Sequence, residues 1–142
     1  MWTSALDVTW ATIRCGRQME RKLQRALQAC GIRSLEMEVL SVLEQRPNLH
    51  VGGLANWLRV PKQTVQRHVQ HLADRGIVEL LPPHASRRGV LRTEDASAAL
   101  EKSMRVFDDI EQRLLRLDAA DRQQLVRLLD RVILQNWGFS RR

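Results

Sequence analysis

Between Pro61 and Arg75 the chain sets hydrogen-bonding side chains opposite an apolar line. Val65, Val69 and Leu72 repeat at i, i+4 and i+7, the spacing of one helix face, while Lys62, Gln63, Gln66, Arg67 and Gln70 fall on the other. Glutamine can pair bidentately with adenine and arginine with guanine, so Gln63, Gln66 and Arg67 have the chemistry to read base edges. Lys62, Thr64, His68 and His71 suit phosphate contacts or packing. Lys62, Gln63, Thr64, Gln66, Arg67, Gln70 and His71 form the candidate DNA-binding set of this helix. A DNA major groove, about 12 Å wide, admits one such helix, provided its other face holds it on a domain. A solvated amphipathic helix would carry the same pattern, so the neighbouring segments must decide.

Those neighbours are informative. After Gly76, Ile77–Leu81 reads as a strand, Pro82 and Pro83 stiffen the base of a turn, and a polar tip of residues 84–89 leads into a short return strand, Val90–Arg92. Arg87 and Arg88 stand at that tip, where they could lie against a minor groove, in which negative potential is concentrated at A/T tracts. A solvated turn is the alternative for the same pair. Upstream, Val51, Leu54, Ala55 and Leu58 define a short helix at i, i+3, i+4 and i+7, so two short helices and a hairpin succeed one another in close order. That order is the parts list of a winged helix-turn-helix.

Charge is distributed accordingly. The net charge is +7 with a sequence pI of about 10.9, which favours a polyanionic partner. Residues 61–92 carry six Lys/Arg against two Asp/Glu, whereas residues 93–142 carry nine of each. The positive excess is thus densest around the candidate helix and hairpin. Arginine outnumbers lysine 20 to 3, which suits bidentate recognition but equally fits a genomic base-composition bias.

The elements that must position these residues read as helices. Residues 5–30 place Leu6, Trp10, Ile13, Leu23, Leu27 and Cys30 at helical spacing, with Gly31 as the stop. A second helix is expected after Ser34 as N-cap, with Glu36 in its first turn and Leu35, Val39, Leu40, Val42 and Leu43 inward. His50 and Gly53 stand where the third helix would want a capping box, which predicts a weak start. Thr93 is expected to cap a fifth helix with the line Ala96, Leu100, Met104, Phe107, Ile110 and Leu114. Asp118 should cap a sixth with the stripe Leu125, Leu128, Leu129, Val132, Ile133 and Trp137. The fold class expected is mainly α: a single 1–142 domain with a winged helix-turn-helix lobe at 32–92 and a small β-hairpin wing, flanked by helices at 5–30 and 94–138 that form a dimerisation region. One copy alone would expose two long apolar stripes, which soluble monomers avoid, so a homodimer is expected.

Other chemistries find little support. Hydrophobic residues make up 44% and charged residues 27%, the balance of a soluble globular protein. No apolar run approaches the ~18 residues of a membrane span and no signal-peptide pattern opens the chain, so a membrane is not expected as partner and a reducing cytoplasm is. Cys15 and Cys30, about 22 Å apart along one helix at 1.5 Å per residue, cannot bridge within it. Cys30, Glu36, Glu38 and His50 match no metal-ligand spacing, and no nucleophile triad or phosphate loop is present, so neither a cofactor, a metal nor an enzyme activity is expected.

From Ser34 to Ala96 the chain resembles the DNA-binding lobe of the MarR family. The family's helix pattern is matched by Leu54-Ala55, Leu58, Val60, Thr64-Val65, Arg67, Val69, Leu72 and Gly76-Ile77-Val78. Its wing signature is matched by Ser86-Arg87-Arg88 and by Arg92-Thr93-Glu94-Asp95-Ala96, and the flanking helices extend the likeness over nearly the whole chain. Three positions depart: Ser86 stands for the family's wing aspartate that braces an arginine, about two residues are missing between Arg88 and Thr93, and His50 with Gly53 alters the third helix start. The resemblance implies a homodimeric transcription regulator that binds double-stranded DNA at a pseudo-palindromic operator, most simply a repressor. It also implies a small-molecule effector, a small aromatic compound, in a cleft for which Trp10, Met37, Met104 and Phe107 are the candidates, core packing being the alternative for the same residues. Some members sense peroxide through a cysteine placed like Cys15, but surround it with tyrosines, and this chain has none. A winged-helix module that binds another protein, with weak or no specific DNA binding, is the alternative function.

Overall fold

Apolar spacing near 3.6 residues governs most of the chain, and helices follow it in the computed structural model, which describes residues 5–85 and 87–137. Ser86, the departing wing residue, lies outside those residues, as do the side chains of Leu6, Leu114 and Trp137. The first compact unit runs through Ile110 and the second begins at Glu111.

Helix α1 (Ala5–Leu27) is amphipathic, but among its described side chains only the last, Leu27, is fully buried, while Val8, Trp10 and Ile13 stay exposed. The expected helix to residue 30 instead tightens into a 3-10 turn, Gln28–Cys30. Gly31 then takes φ 65°, and its N–H bonds to the Gln28 carbonyl at 3.0 Å. A side chain there would be strained twice, by that backbone and by the Arg75 guanidinium 2.8 Å from where a Cβ would sit.

Helix α2 (Ser34–Gln45) has Arg33, not Ser34, as its N-cap. The reason is a neighbour: the Ser34 N–H donates to Gln24 Oε1 of α1 at 3.0 Å, and Glu36 Oε2 accepts from the Arg33 N–H at 3.1 Å. Helix α3 (Val51–Leu58) corrects the expectation of a weak start, since His50 Nδ1 accepts the Gly53 N–H at 3.0 Å and so performs the cap. Helix α4 (Lys62–Asp74) comes after a left-handed Arg59 and has Pro61 as N-cap.

Strands β1 (Val78–Leu80) and β2 (Val90–Arg92) pair antiparallel with Val78 opposite Arg92 and Leu80 opposite Val90. Residue Ile77, expected in the strand, is buried ahead of it, and the Leu81 N–H continues the ladder to the Gly89 carbonyl at 2.9 Å. The hairpin is also tied to the start of α3, through a bridge between His50 and Gly89 and a 2.9 Å bond from the Val51 N–H to the Arg88 carbonyl. Thr93 does not cap helix α5 (Glu94–Leu115) with its side chain; its hydroxyl faces the Gly76 and Ile77 carbonyls at 2.7 and 2.8 Å, where it locks the helix to the root of β1.

One apolar core joins these elements: Val39, Leu40 and Leu43 from α2, Val51 and Leu54 from α3, Val65, Val69 and Leu72 from α4, with Val78 and Val90 of the hairpin and Ala96 and Leu100 of α5. In the second unit, Asp118 caps helix α6 (Ala119–Trp137) as expected, accepting the Asp121 N–H at 2.8 Å. Leu125, Leu128, Leu129, Val132 and Ile133 remain exposed along it. Among the described residues no helix is long and apolar enough to cross a membrane. Because Leu72 is wholly buried where α4 meets this core, Leu72→Ala should lower stability by about 2–5 kcal/mol in urea unfolding monitored by circular dichroism. A loss well under about 1 kcal/mol would mean the α4 seam is not packed as described.

Candidate nucleic-acid interface

Burial of Val65, Val69 and Leu72 fixes which way α4 faces. Lys62, Gln63, Gln66, Arg67 and Gln70 are exposed together on its outer side, and Thr64 is half-buried beside them. Gln70 Nε2 donates to Asp74 Oδ1 at 2.9 Å, one turn on, which restrains the amide. At the front of the helix Pro61 offers no side-chain acceptor, so the first-turn N–H groups add their positive end to Lys62. The result is a convex, cationic surface with amide and guanidinium donors at i, i+3, i+4 and i+7.

His71 is the member of the candidate set that the fold turns away from this surface. Its Nδ1 is hydrogen-bonded to Glu36 Oε1 of α2, and Glu36 is 0% exposed. His68 Nδ1 is buried 3.8 Å from the same oxygen, beyond hydrogen-bond reach, and has no hydrogen-bond partner among the described residues. Desolvation lowers the His68 imidazole below the usual histidine range, with Arg33 and Arg67 pushing the same way and Glu36 opposing them. In the sequence Glu36 is a first-turn acid and nothing more. Its spacing holds the further signal, because 36, 39, 40 and 43 form one helical stripe whose other members are core.

At the wing, His84 and Arg87 close the tip with paired backbone bonds of 2.7 and 2.9 Å, and Ala85 between them adopts φ 50°. Arg87 is exposed there. Arg88 is half-buried, and its Nε donates to the Leu81 carbonyl at 3.1 Å across the hairpin. The two arginines grouped by sequence thus divide: Arg87 is presented outward and Arg88 braces the wing, leaving its terminal nitrogens for any outward contact.

The candidate effector residues divide as well. A cavity of about 420 Å³ lies between α1, α2 and α5, walled by Leu23, Met37, Val42, Leu58, Met104 and Phe107. Met37, Met104 and Phe107 are thereby brought together, whereas Trp10 is 50% exposed on α1 and is not among the lining residues. Glu38 and Asp108, which sequence reasoning did not single out for this role, also line the cavity. Desolvation raises the Glu38 carboxyl above the usual carboxylate range, and the Glu20 charge adds to it. Cys15 is an exposed thiol 3.8 Å from Met19 Sδ, and Cys30 is half-buried and also unbridged. Among the described residues no group of three or more His, Cys, Asp or Glu is arranged to hold a metal ion.

Two short helices, the second with an exposed polar face, and a hairpin tied back to the first define a winged helix-turn-helix protein. Residues 31–89 match the model of the MarR family. The whole chain superposes on a MarR-family transcriptional regulator from Rhodococcus sp. RHA1 with a TM-score of 0.82 at 17% identity, covering 98% of this chain and 99% of that one. CouR from Rhodococcus jostii RHA1, solved bound to p-coumaroyl-CoA, gives 0.83 at 18% identity over 97% and 99% of the two chains. MepR of S. aureus, solved in a DNA complex, gives 0.77 at 17% identity over 95% and 98%. No curated protein sequence matches the chain. Residues 31–89 are thus similar to the MarR family, and the chain has the winged-helix fold of the MarR-family structures on which it superposes.

Half-buried His68 beside Glu36 makes stability depend on pH. A histidine whose value is lowered by folding stabilises the fold fully above the unfolded value, about 6.5, and that contribution is lost as pH falls through the folded value. The groups facing it are Glu36, Arg33 and Arg67, with His71 on the same carboxylate. The thermal midpoint should drop as pH falls from about 7 to about 5, and His68→Phe should flatten that part of the profile. An unchanged slope in the variant would remove His68 as its source.

Proposed function

We propose that the chain is a DNA-binding transcription regulator that works as a homodimer. In this reading α4 enters the major groove, with Gln63, Gln66 and Arg67 at base edges and Lys62, Thr64 and Gln70 toward phosphates. Arg87 reaches the flanking minor groove from the wing, and Arg88 supports it. The observation that carries the reading is the exposed row Lys62, Gln63, Gln66, Arg67 and Gln70 on a helix whose opposite face is core. The MepR–DNA complex on the same fold supports it.

Dimerisation is supported by exposed apolar side chains, Val8, Trp10 and Ile13 on α1 and Leu125, Leu128, Leu129, Val132 and Ile133 on α6, which one chain leaves in water. A two-fold pair of α4 helices reads a pseudo-palindromic site with half-sites about one DNA turn apart. Occupancy of such a site at a promoter represses, and a small molecule bound in the cavity between α1, α2 and α5 releases it by favouring a dimer that no longer fits that spacing. CouR with its bound p-coumaroyl-CoA supports a ligand-responsive regulator on this fold.

Salt titration of binding to the DNA upstream of its own gene and to random DNA tests the proposal. Affinity should fall steeply with salt, by a log–log slope of roughly −0.9 per phosphate contact. Flat, salt-insensitive behaviour would instead leave the winged lobe as a protein-binding module. Arg67→Ala should cost about 1–3 kcal/mol at one base pair and relax preference there. Arg87→Ala should weaken binding to all sequences and reduce the salt slope by about one contact. Equal loss of base preference from both variants would overturn the division between helix and wing.

A further inference from the structure

The net charge is +7, yet the cavity between α1, α2 and α5 is acidic. Its lining contains two carboxylates, Glu38 and Asp108, and no lysine or arginine among the described residues. The adjoining groove shares Met104 and Asp108 and adds Glu44 and Glu101, against Arg105, which stands 3.8 Å from Glu101. Glu20 on α1 contributes further negative potential at Glu38. The walls themselves are apolar and polarisable: two thioethers, Met37 and Met104, and the ring of Phe107, with Met104 and Phe107 still 46% and 37% exposed.

These features select a ligand by charge. An anion entering the cavity would meet two carboxylates, Glu38 and Asp108, with no lysine or arginine in the lining to offset their repulsion. A neutral aromatic compound could use the walls but would desolvate Glu38 further without compensating it. A large organic cation does both jobs, because its apolar substituents fill the walls while its charge offsets the carboxylates. An aromatic face and thioethers suit a soft, weakly hydrated cation in particular. A volume of about 420 Å³ falls in the range of sites for drug-sized molecules.

We infer that this cavity binds lipophilic organic cations, with Glu38 as the principal counter-charge, Asp108 as the second, and Phe107 with Met37 and Met104 as the apolar cradle. The inference rests on the proposed regulator only for its consequence, that such a cation is the releasing effector; the binding itself does not require DNA. It also replaces the small aromatic effector expected from the sequence with a narrower chemical class.

Isothermal titration of the full-length protein without DNA tests the binding. Tetraphenylphosphonium should bind at least about tenfold more tightly than tetraphenylborate, which has nearly the same shape and the opposite charge. Glu38→Gln should weaken the cation by about tenfold and leave the borate unchanged or tighter, while Phe107→Ala should weaken both. Asp108→Asn should act in the same sense as Glu38→Gln and serves if that variant fails to fold. Equal affinity for both ions, preference for the borate, or a cation affinity indifferent to both carboxylate variants would overturn the inference. DNA binding measured separately distinguishes the two failures. Salt-sensitive DNA binding without cation preference sinks the cavity assignment alone, whereas cation binding without any DNA binding sinks the regulator reading and leaves the cavity assignment standing.

Discussion

Helix α4 can present a row of polar side chains because Val65, Val69 and Leu72 hold its opposite face in the core. The rest of the lobe is arranged around that seam. Helix α3 packs across it, β1 leaves from its end at Gly76, and α2 lies beneath it. A second, polar tie reinforces the apolar one. Glu36 reaches up from α2 to His71 while its other oxygen accepts the Arg33 N–H, so a fully buried carboxylate has partners on two sides. A charge in that position without partners would be expensive, and the directionality of its bonds resists rotation of α4 about its own axis. One residue of rotation is about 100° on a helix, enough to carry Arg67 and Gln63 off the exposed face.

The wing obeys the same logic of support from behind. Backbone groups brace it, with Arg88 Nε on the Leu81 carbonyl and the Arg88 carbonyl receiving the Val51 N–H. The return strand is also held at its other edge, where His50 pairs with Gly89. His50 thus serves twice, as cap of α3 through its ring and as a rung of the hairpin through its backbone. That double use, with the neighbouring bonds of Leu49 and Val51, couples the wing to the helix-turn-helix.

Charge is segregated by face. Basic and amide groups collect on α4 and the wing, while carboxylates collect where α2 and α5 flank the cavity. The chain has a net charge of +7, yet the cavity lining carries Glu38 and Asp108 and no lysine or arginine. Helix α2 participates in both regions: Glu36 points to α4 and Glu38, two residues on, lines the cavity. Successive residues on a helix diverge by about 100°, which is how one short segment serves two sites.

Periodicity by itself determined the helices, the inward residues of α4, the hairpin and its arginine tip, because those depend on local spacing and on which side chains avoid water. It also placed Gln63, Gln66 and Arg67 on the outer face, since their exposure results from the burial of their neighbours. Contacts between segments far apart in sequence were not legible. The Ser34 N–H found Gln24 instead of starting a cap of its own, Thr93 turned to the Gly76 and Ile77 carbonyls, and His50 served as a cap in a place where the pattern promised a weak end. His71 has the sequence setting of a surface residue, yet Glu36, 35 positions away, binds it. Trp10 has the type of a pocket residue, yet the cavity is walled from other turns of α1, α2 and α5. Local spacing decides which face of an element is wet or dry; only the packed structure decides which polar atoms meet, because a hydrogen bond needs a partner within about 3 Å and sequence separation carries no information about that distance.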